Sequence, residues 1–368
     1  MKKSPLFSII SIFGLAISLA AFIMILLYIY AELTTDRYHK NYDKIYRIET
    51  SEWKYISYPY KSLVKQTLPN LETVAMILKP TIRIEYKGES CIIQKSIFTE
   101  EEFIDVFTIN VLKGNLKETL NDPRKIMLSQ TQAERIFGKE DPLKRTVILN
   151  NEFEYIVSGI FEDLPENVHL PIPVLSSLQN VKEIWGRENL FTSGTMFAFS
   201  TYIKLNNNIN LKNTTNIFNE KLNNLIMPDE PEENWLTFQL KSLPEIYYYN
   251  NLKEDDCHHG NKHYVNMFIL AGILILAVAI INYINLATAR AGVRATEIGI
   301  RKTLGATQTN IVRQFLIESF FNVIFAVIGS IVLIIIFLPY FNNLIHMFRK
   351  MWIFFGKDFF NFFTGINT

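Results

Sequence analysis

The sequence is poor in the residues that usually carry chemistry. Two cysteines, six histidines and four tryptophans are spread over 368 residues. No GxxxxGK[ST] run is present that could cradle the phosphates of a nucleotide. The two cysteines, Cys91 and Cys257, could form one disulfide at most, which excludes a disulfide scaffold, and they read as two unpaired thiols. A surplus of one charge is also missing: 37 Lys and Arg stand against 36 Asp and Glu, for a net charge of +1. With the basic residues scattered and no basic stripe interleaved with stacking aromatics, a nucleic-acid surface is excluded. Carboxylate clusters such as Glu100 to Glu102, or Asp255 and Asp256, have no neighbouring base or nucleophile and read as solvated surface. No enzyme, cofactor or catalytic residue is expected from this inventory.

What the chain does have is apolar residues, 49% of the total, and they are segregated. Three windows exceed the roughly 18–20 apolar residues that a bilayer demands: Leu6 to Tyr30, Val265 to Leu286, and about Phe315 to Leu338. Lys2 and Lys3 ahead of the first window suggest a signal peptide. The apolar run continues too far for that, so an uncleaved membrane helix is expected. Between the first and second windows, the composition is that of a globular domain large enough for its own core.

Charge then orients the spans. Lys and Arg near span ends stay in the cytoplasm. Lys2 and Lys3 place the N-terminus inside, and Arg290, Arg294, Arg301, Lys302 and Arg313, against Glu297 alone, place the connector at 289–313 inside. The domain between is then external, and so is the tail at 339–368, although Arg349, Lys350 and Lys357 mildly oppose that. Gly14 with Ser18, and Ala326 with Ser330, give the first and third spans small-residue faces suited to helix packing.

The connector is the most informative stretch. In helical spacing Ala289, Val293, Thr296, Ile300 and Leu304 form one apolar to weakly polar stripe, while Arg294, Glu297 and Arg301 share another face. Glu297 precedes Arg301 by one turn, the favourable order for a helical ion pair. Gly305 is placed to stop the helix in a left-handed cap, and Thr307 to cap the next one. Physics alone reads this as a basic helix at a membrane surface.

The wording of several segments adds to that. INYINLATAR (281–290), RATEIGIRKTLGA (294–306) and IVRQFLIES (311–319) closely resemble the permease signature of the MacB/FtsX-like ABC transporter family. SIISIFGLAISLA (8–20), TDRYHKNYDKIYRI (35–48), LNDPRKIMLS (120–129), FGKEDP (137–142) and GIFEDLPENVHL (159–170) resemble its N-terminal and periplasmic parts. The likeness covers nearly the whole chain to Leu338. It implies a permease subunit of an export or mechanotransmission system, in which a separate cytoplasmic ATPase moves the spans and, through them, the external domain. It also implies Arg294, Glu297, Gly299, Arg301, Lys302, Gly305 and Ala306 as the contact to that ATPase, a second permease unit as homo- or heterodimer partner, and membrane lipid around the spans. A periplasmic adaptor is compatible with it, and a bacterial inner membrane is the implied location. Two other readings stand beside this one: a non-transporting regulator of a cell-wall hydrolase, and a membrane-anchored external binding or sensor module.

The expected architecture is an α+β extracytoplasmic domain inserted between transmembrane helices, with a three-helix membrane portion where the family normally has four. The expected boundaries are 1–30 for the tip and first span, 31–263 for the periplasmic core domain, 264–338 for the permease region and 339–368 for an external tail. Pro339 is expected to end the third span. The aromatic run Trp352 to Phe363 is short and interrupted by Lys357 and Asp358, so the chain reads as truncated before a fourth span. Within the insert, 81–86, 146–149 and 153–160 read as strands, with a turn at Asn150-Asn151, and 129–137 as a helix capped by Ser129 or Thr131. By resemblance, a β-rich lobe falls at about 121–205, and the flanks assemble a βαβ-type lobe from both ends of the insert. Cys257, His258, His259 and His263 are credible zinc ligands by type. Four ligands in seven residues close a tetrahedron awkwardly, so a polar junction before the second span is the preferred reading and no metal is expected. His39 lies just outside the first span, where a structural junction role is expected rather than proton transfer.

Overall fold

A computed structural model of the chain describes residues 5–50, 53–165, 167–206, 210–226, 229, 231, 236–248, 260–304 and 307–344. It divides into two compact units, Met1–Leu33 with Asn261–Thr368, and Thr34–Gly260.

The first unit holds three helices long and apolar enough to cross a membrane, with candidate spans Ile12–Leu33, Lys262–Asn285 and Gln308–Tyr340. They belong to α1 (Pro5–Leu33), α9 (Lys262–Thr303) and α10 (Gln308–Leu344), and α1 packs along both of the others. Small residues make the approach close: Ala16, Ala20, Ala326 and Ser330 are buried. A Cβ added at Gly329 would sit 3.3 Å from the Ala16 methyl, and one at Gly272 would sit 3.3 Å from Ile25. Gly329 therefore joins the small-residue face expected in the third span, and Gly272 gives the second span a close approach to α1 as well. One expectation fails here. Pro339 lies inside α10, which continues to Leu344. A proline removes one donor from the ladder, but in an apolar setting the remaining backbone groups have no better partner than the helix, so it persists through the proline.

In the second unit, one sheet contains β1 (Ile45–Thr50), β2 (Tyr55–Ile56), β3 (Leu71–Ile77), β12 (Phe199–Leu205) and β13 (Phe238–Ser242). All its pairs are antiparallel: β13 on β1, β1 on β12, and β3 and the short β2 on β12. Helix α2 (Tyr60–Thr67) connects β1 to β3 across β12, and α7 (Leu211–Ile226) connects β12 to β13 across β1. These are two split β-α-β units, interleaved to give the order β13-β1-β12-β3, a ferredoxin-like arrangement. Its strands come from both ends of the insert, so the sheet closes only through contacts far apart in sequence.

The other sheet uses the intervening stretch: β4 (Ile82–Tyr86), β5 (Glu89–Ile93), β6 (Ile97–Thr99), β7 (Val111–Gly114), β8 (Lys125–Ser129), β9 (Thr146–Leu149), β10 (Phe153–Phe161) and β11 (Val174–Ser177). The order is β5-β4-β9-β10-β8-β11-β6, with β7 pairing the end of β10. Pairs β8–β10 and β6–β11 are parallel and the rest antiparallel, so the sheet is mixed. The β-rich part thus runs from about residue 82 to 177 rather than from 121 to 205. The short strands β4 to β6 join it through pairing to β9 and β11, which no local pattern discloses, while β12 belongs to the first sheet.

Turn chemistry fixes the hairpins. Asn150 and Asn151 both have positive φ, 52° and 62°, the turn that matches strand twist between β9 and β10. Gly159 is needed for close approach: a Cβ there would meet the Lys113 carbonyl and the Met127 methyl, each at 2.5 Å. Short helices complete the unit: α3 (Phe103–Val106), α4 (Leu116–Asn121), α5 (Gln130–Phe137), α6 (Val181–Trp185) and α8 (Leu243–Tyr248). Ser129 caps α5 by accepting from the Gln132 amide at 3.4 Å, while Thr131 bonds to Asp163 instead. Two apolar clusters fill the interior, one including Val74, Phe98, Leu149 and Phe238, the other Phe103, Phe107, Met127 and Tyr202.

Candidate functional site

The connector begins as a continuation of the second span. Helix α9 runs for 42 residues without a break, which is ~63 Å at 1.5 Å per residue. About 24 of those residues make the candidate span, and Leu286 to Thr303 extends the same rod by ~27 Å. Arg294, Glu297, Gly299, Arg301 and Lys302 all fall on this extension. Helical spacing sets Glu297 and Arg301 one turn apart. Gly299 is exposed, with open space where a Cβ would be. Ile300 and Leu304, the last members of the apolar stripe, are 56% and 81% exposed. The Leu304 amide closes the final turn on the Ile300 carbonyl at 3.2 Å. Gly305 and Ala306 lie outside the described residues. Beyond them Thr307 caps α10, its Oγ1 accepting from the Asn310 amide at 3.4 Å.

The start of the second unit holds a feature that sequence reading missed. Asp36 sits in a left-handed turn (φ 64°), a conformation that a short polar side chain tolerates. Its amide donates to the Asn167 carbonyl at 2.9 Å, and Asn167 Nδ2 donates back to the Thr34 carbonyl at 3.3 Å. Asp36 Oδ1 accepts from the His169 amide at 2.9 Å and lies 2.9 Å from His169 Nδ1. His169 Nε2 is 2.9 Å from the Tyr202 hydroxyl on β12. A carboxylate accepts only, so Nδ1 carries the proton and Nε2 accepts from Tyr202. Both ring nitrogens of His169 are thereby satisfied inside the protein. Asp36, His169 and Tyr202 have no exposed surface.

His39 closes the other side. The Thr108 amide donates to His39 Nδ1 at 3.3 Å, and the Lys40 amide donates to Thr108 Oγ1 at 2.8 Å, a reciprocal clamp between 39–40 and the residue that follows α3. The His39 ring meets Phe107 edge-on at 5.1 Å, and Phe107 meets Tyr202 at 5.0 Å. Burial holds the His39 imidazole down to about 4 from its usual 6.5; Asp36 pulls it up and His169 pushes it down. Burial, helped by Glu162, also raises the neighbouring Tyr38 hydroxyl.

The Asp–His–hydroxyl geometry has the form of an activated nucleophile. Complete burial leaves no path for a substrate, so these bonds tie three parts of the chain together: the turn after α1, the strap at 167–170 and strand β12. A signal was present in the sequence, since Asp36 and His39 lie in one stretch that carried the family likeness and His169 in another. Nothing local says that the two stretches meet across 133 residues. A second buried tie lies on β1, where Arg47 Nη2 and Glu49 Oε1 are 2.6 Å apart, both fully covered.

The remaining candidates assemble no site among the described residues. Cys257, His258 and His259 lie outside the described residues, and His263 is in the first turn of α9, its amide bonded to Asn261. Among the described residues no group of three or more His, Cys, Asp or Glu could hold a metal. Cys91 on β5 is a free, half-buried thiol whose pKa burial raises.

Comparison with known proteins agrees with this anatomy. The family profile for a MacB-like periplasmic core domain matches residues 8–219, and that for an FtsX-like permease C-terminal region matches residues 269–366. Two macrolide export ATP-binding/permease proteins MacB, from Neisseria meningitidis serogroups A and B, are each 22% identical over 242 residues, 63% of this chain and 33% of theirs. The chain thus spans about a third of the length of the curated relatives it matches. Among solved structures, a permease-protein domain from Porphyromonas gingivalis is 17% identical, covering 59% of this chain and 96% of its own, with a TM-score of 0.48. The periplasmic region of MacB from Actinobacillus actinomycetemcomitans is 16% identical, covering 55% and 90%, with a TM-score of 0.41. With the core-domain profile matching more than half of the chain and the permease profile following it, the protein belongs to the MacB/FtsX-like family of ABC transporter permeases.

Proposed function

We infer that the chain is a mechanotransmission permease subunit, which couples a separate cytoplasmic ATPase to movement of its external unit. The observation that carries this is the unbroken α9, which joins a candidate span to the basic connector in one rod. A single helix transmits a displacement along its axis without loss at a joint, and allosteric coupling requires an element whose state both ends bias. The charge pattern supports a cytoplasmic N-terminus and connector, with the insert outside an inner membrane. The connector residues Arg294, Glu297, Gly299, Arg301, Lys302, Gly305 and Ala306 are the proposed ATPase contact, and a second permease unit completes the machine.

The test is a charge reversal, Glu297→Lys with Arg301→Glu, in the chain reconstituted with its ATPase. Insertion and folding are expected to persist while ATPase stimulation and ATP-dependent movement of the external unit are lost. Unchanged stimulation would overturn the assignment.

A further inference from the structure

We propose that the His39–Thr108 clamp is an acid-opened lock on the first turn of the globular unit: protonating His39 frees the segment that follows α1 from the segment that follows α3. The argument starts from the direction of one hydrogen bond. The Thr108 amide points its proton at His39 Nδ1, so that nitrogen must carry a lone pair. The neutral ring therefore holds its proton on Nε2, which is buried and has no hydrogen-bond partner among the described residues. Adding a second proton places N–H against N–H at the Thr108 contact, and the bond cannot survive. The cation would also be stranded in a site that is 1% exposed and walled by the Phe107 and Tyr38 rings.

The groups around the ring offset the burial of a cation only in part. Asp36, three residues earlier, is the nearby carboxylate and favours the cation, but its Oδ1 is engaged by the amide and Nδ1 of His169 and burial of the ring outweighs its pull. His169 on the strap disfavours a charge on His39, and both its ring nitrogens are committed, to Asp36 and to Tyr202. Glu162 acts on Tyr38 rather than on the ring. From α3 and its end the ring meets Phe107 and the Thr108 amide. Once the Thr108 bond breaks, the Lys40-to-Thr108 bond loses its geometric support, because the two hold the same residue from opposite directions. Residues 34–42 then retain Asp36 on His169 but lose the clamp to 107–108.

The sign follows from the ring's displaced titration. His39 is driven from 6.5 to about 4 on folding, so the closed form is favoured above pH 6.5 and loses ground as the pH falls toward 4. A displacement of that size corresponds to an increase in opening of about 80-fold between pH 6.5 and 4, rising toward about 300-fold only below pH 4. The proposal stands whether or not an ATPase engages the connector, since it concerns bonds within the globular unit alone.

Hydrogen exchange on the full-length chain in nanodiscs, corrected for the intrinsic pH dependence of exchange, tests it. Between pH 6.5 and 4 the wild type is expected to lose protection in peptides covering 34–42 and 103–110, while β8, β10 and β12 stay protected. His39→Gln keeps an oxygen that accepts from the Thr108 amide but takes up no proton, and its protection is expected to be flat over the same range. Asp36 is unchanged in that variant, so equal acid sensitivity in both proteins would assign the effect to a carboxylate and overturn the proposal. Loss spread evenly over both sheets in the wild type would overturn it as well, without recourse to any variant.

Discussion

Asp36, His169 and Tyr202 have little room for substitution, because each satisfies the next inside a space that water does not reach. His169→Leu takes the Nδ1 donor from the buried Asp36 carboxylate and leaves Oδ1 only the backbone amide of residue 169, a loss at the lower end of the about 3–5 kcal/mol that breaking a buried pair costs. Tyr202→Phe strands no charge but leaves the buried His169 Nε2 without its donor, a loss of about 1–3 kcal/mol. Urea unfolding of the full chain should rank the two in that order; a Tyr202→Phe loss equal to that of His169→Leu would contradict the network as described. Arg47 and Glu49 obey the same logic on β1, and removing either partner alone should cost more than replacing both with apolar residues. At this scale the sequence singled out His39 alone; Asp36, His169 and Tyr202 were not picked out, nor were their partners. His39 was recognisable as a junction residue because it follows a span. The 133-residue reach from Asp36 to His169 was invisible, because periodicity reports neighbours along a helix or strand and nothing about long-range contact.

Strands and helices were easier to read where their signals are local. The turn at Asn150-Asn151, the cap at Ser129, the cap at Thr307 and the strand at 146–149 all fall where residue chemistry dictates. The reach of the β-rich lobe was misjudged because β4 to β6 are short strands that owe their place to distant pairing. The end of α10 was misjudged because a proline is a weaker stop in an apolar helix than in a wet one. Helix α9 offers the cleanest test of an element acting as a rod. Gly299→Ala meets open space and replaces the poorest ordinary helix former with the best, gaining up to about 1 kcal/mol in helix stability. Coupling to an ATPase should survive it. Gly299→Pro deletes a backbone donor, kinks the rod at a cost of about 3 kcal/mol, and should abolish ATPase stimulation with membrane insertion intact. Equal stimulation by the two variants would argue against transmission along α9. In the β-rich sheet, Gly159→Ala drives a methyl into the Lys113 carbonyl and Met127, so β7 must move off β10; a loss of about 1–3 kcal/mol in urea unfolding is expected.

For the whole molecule, composition alone separated an apolar unit from a globular one, because span length is a physical requirement that few residues of mixed polarity can meet. Sidedness is the matching prediction. With Cys91 and Cys257 replaced by serine, Gly299→Cys should react with a membrane-impermeant maleimide only after the cytoplasmic face is opened. Lys139→Cys should react in intact spheroplasts, and the reverse pattern would invert the topology. The pairing of β1 with β13 carries a further consequence, for the order in which the protein is made. Ile45 and Ser242 belong to neighbouring strands of one sheet but are about 200 residues apart in synthesis. At ~5–20 residues per second, β1 waits roughly 10–40 s for the strand that will cover its edge. The strands from β4 to β11 pair among themselves, so their sheet can form in that interval, although its apolar face shares two clusters with the first sheet. The nascent insert therefore passes through a stage in which all strands of its β-rich sheet are made while the other sheet still shows an open strand edge. In that interval a chaperone outside the membrane would find most to bind.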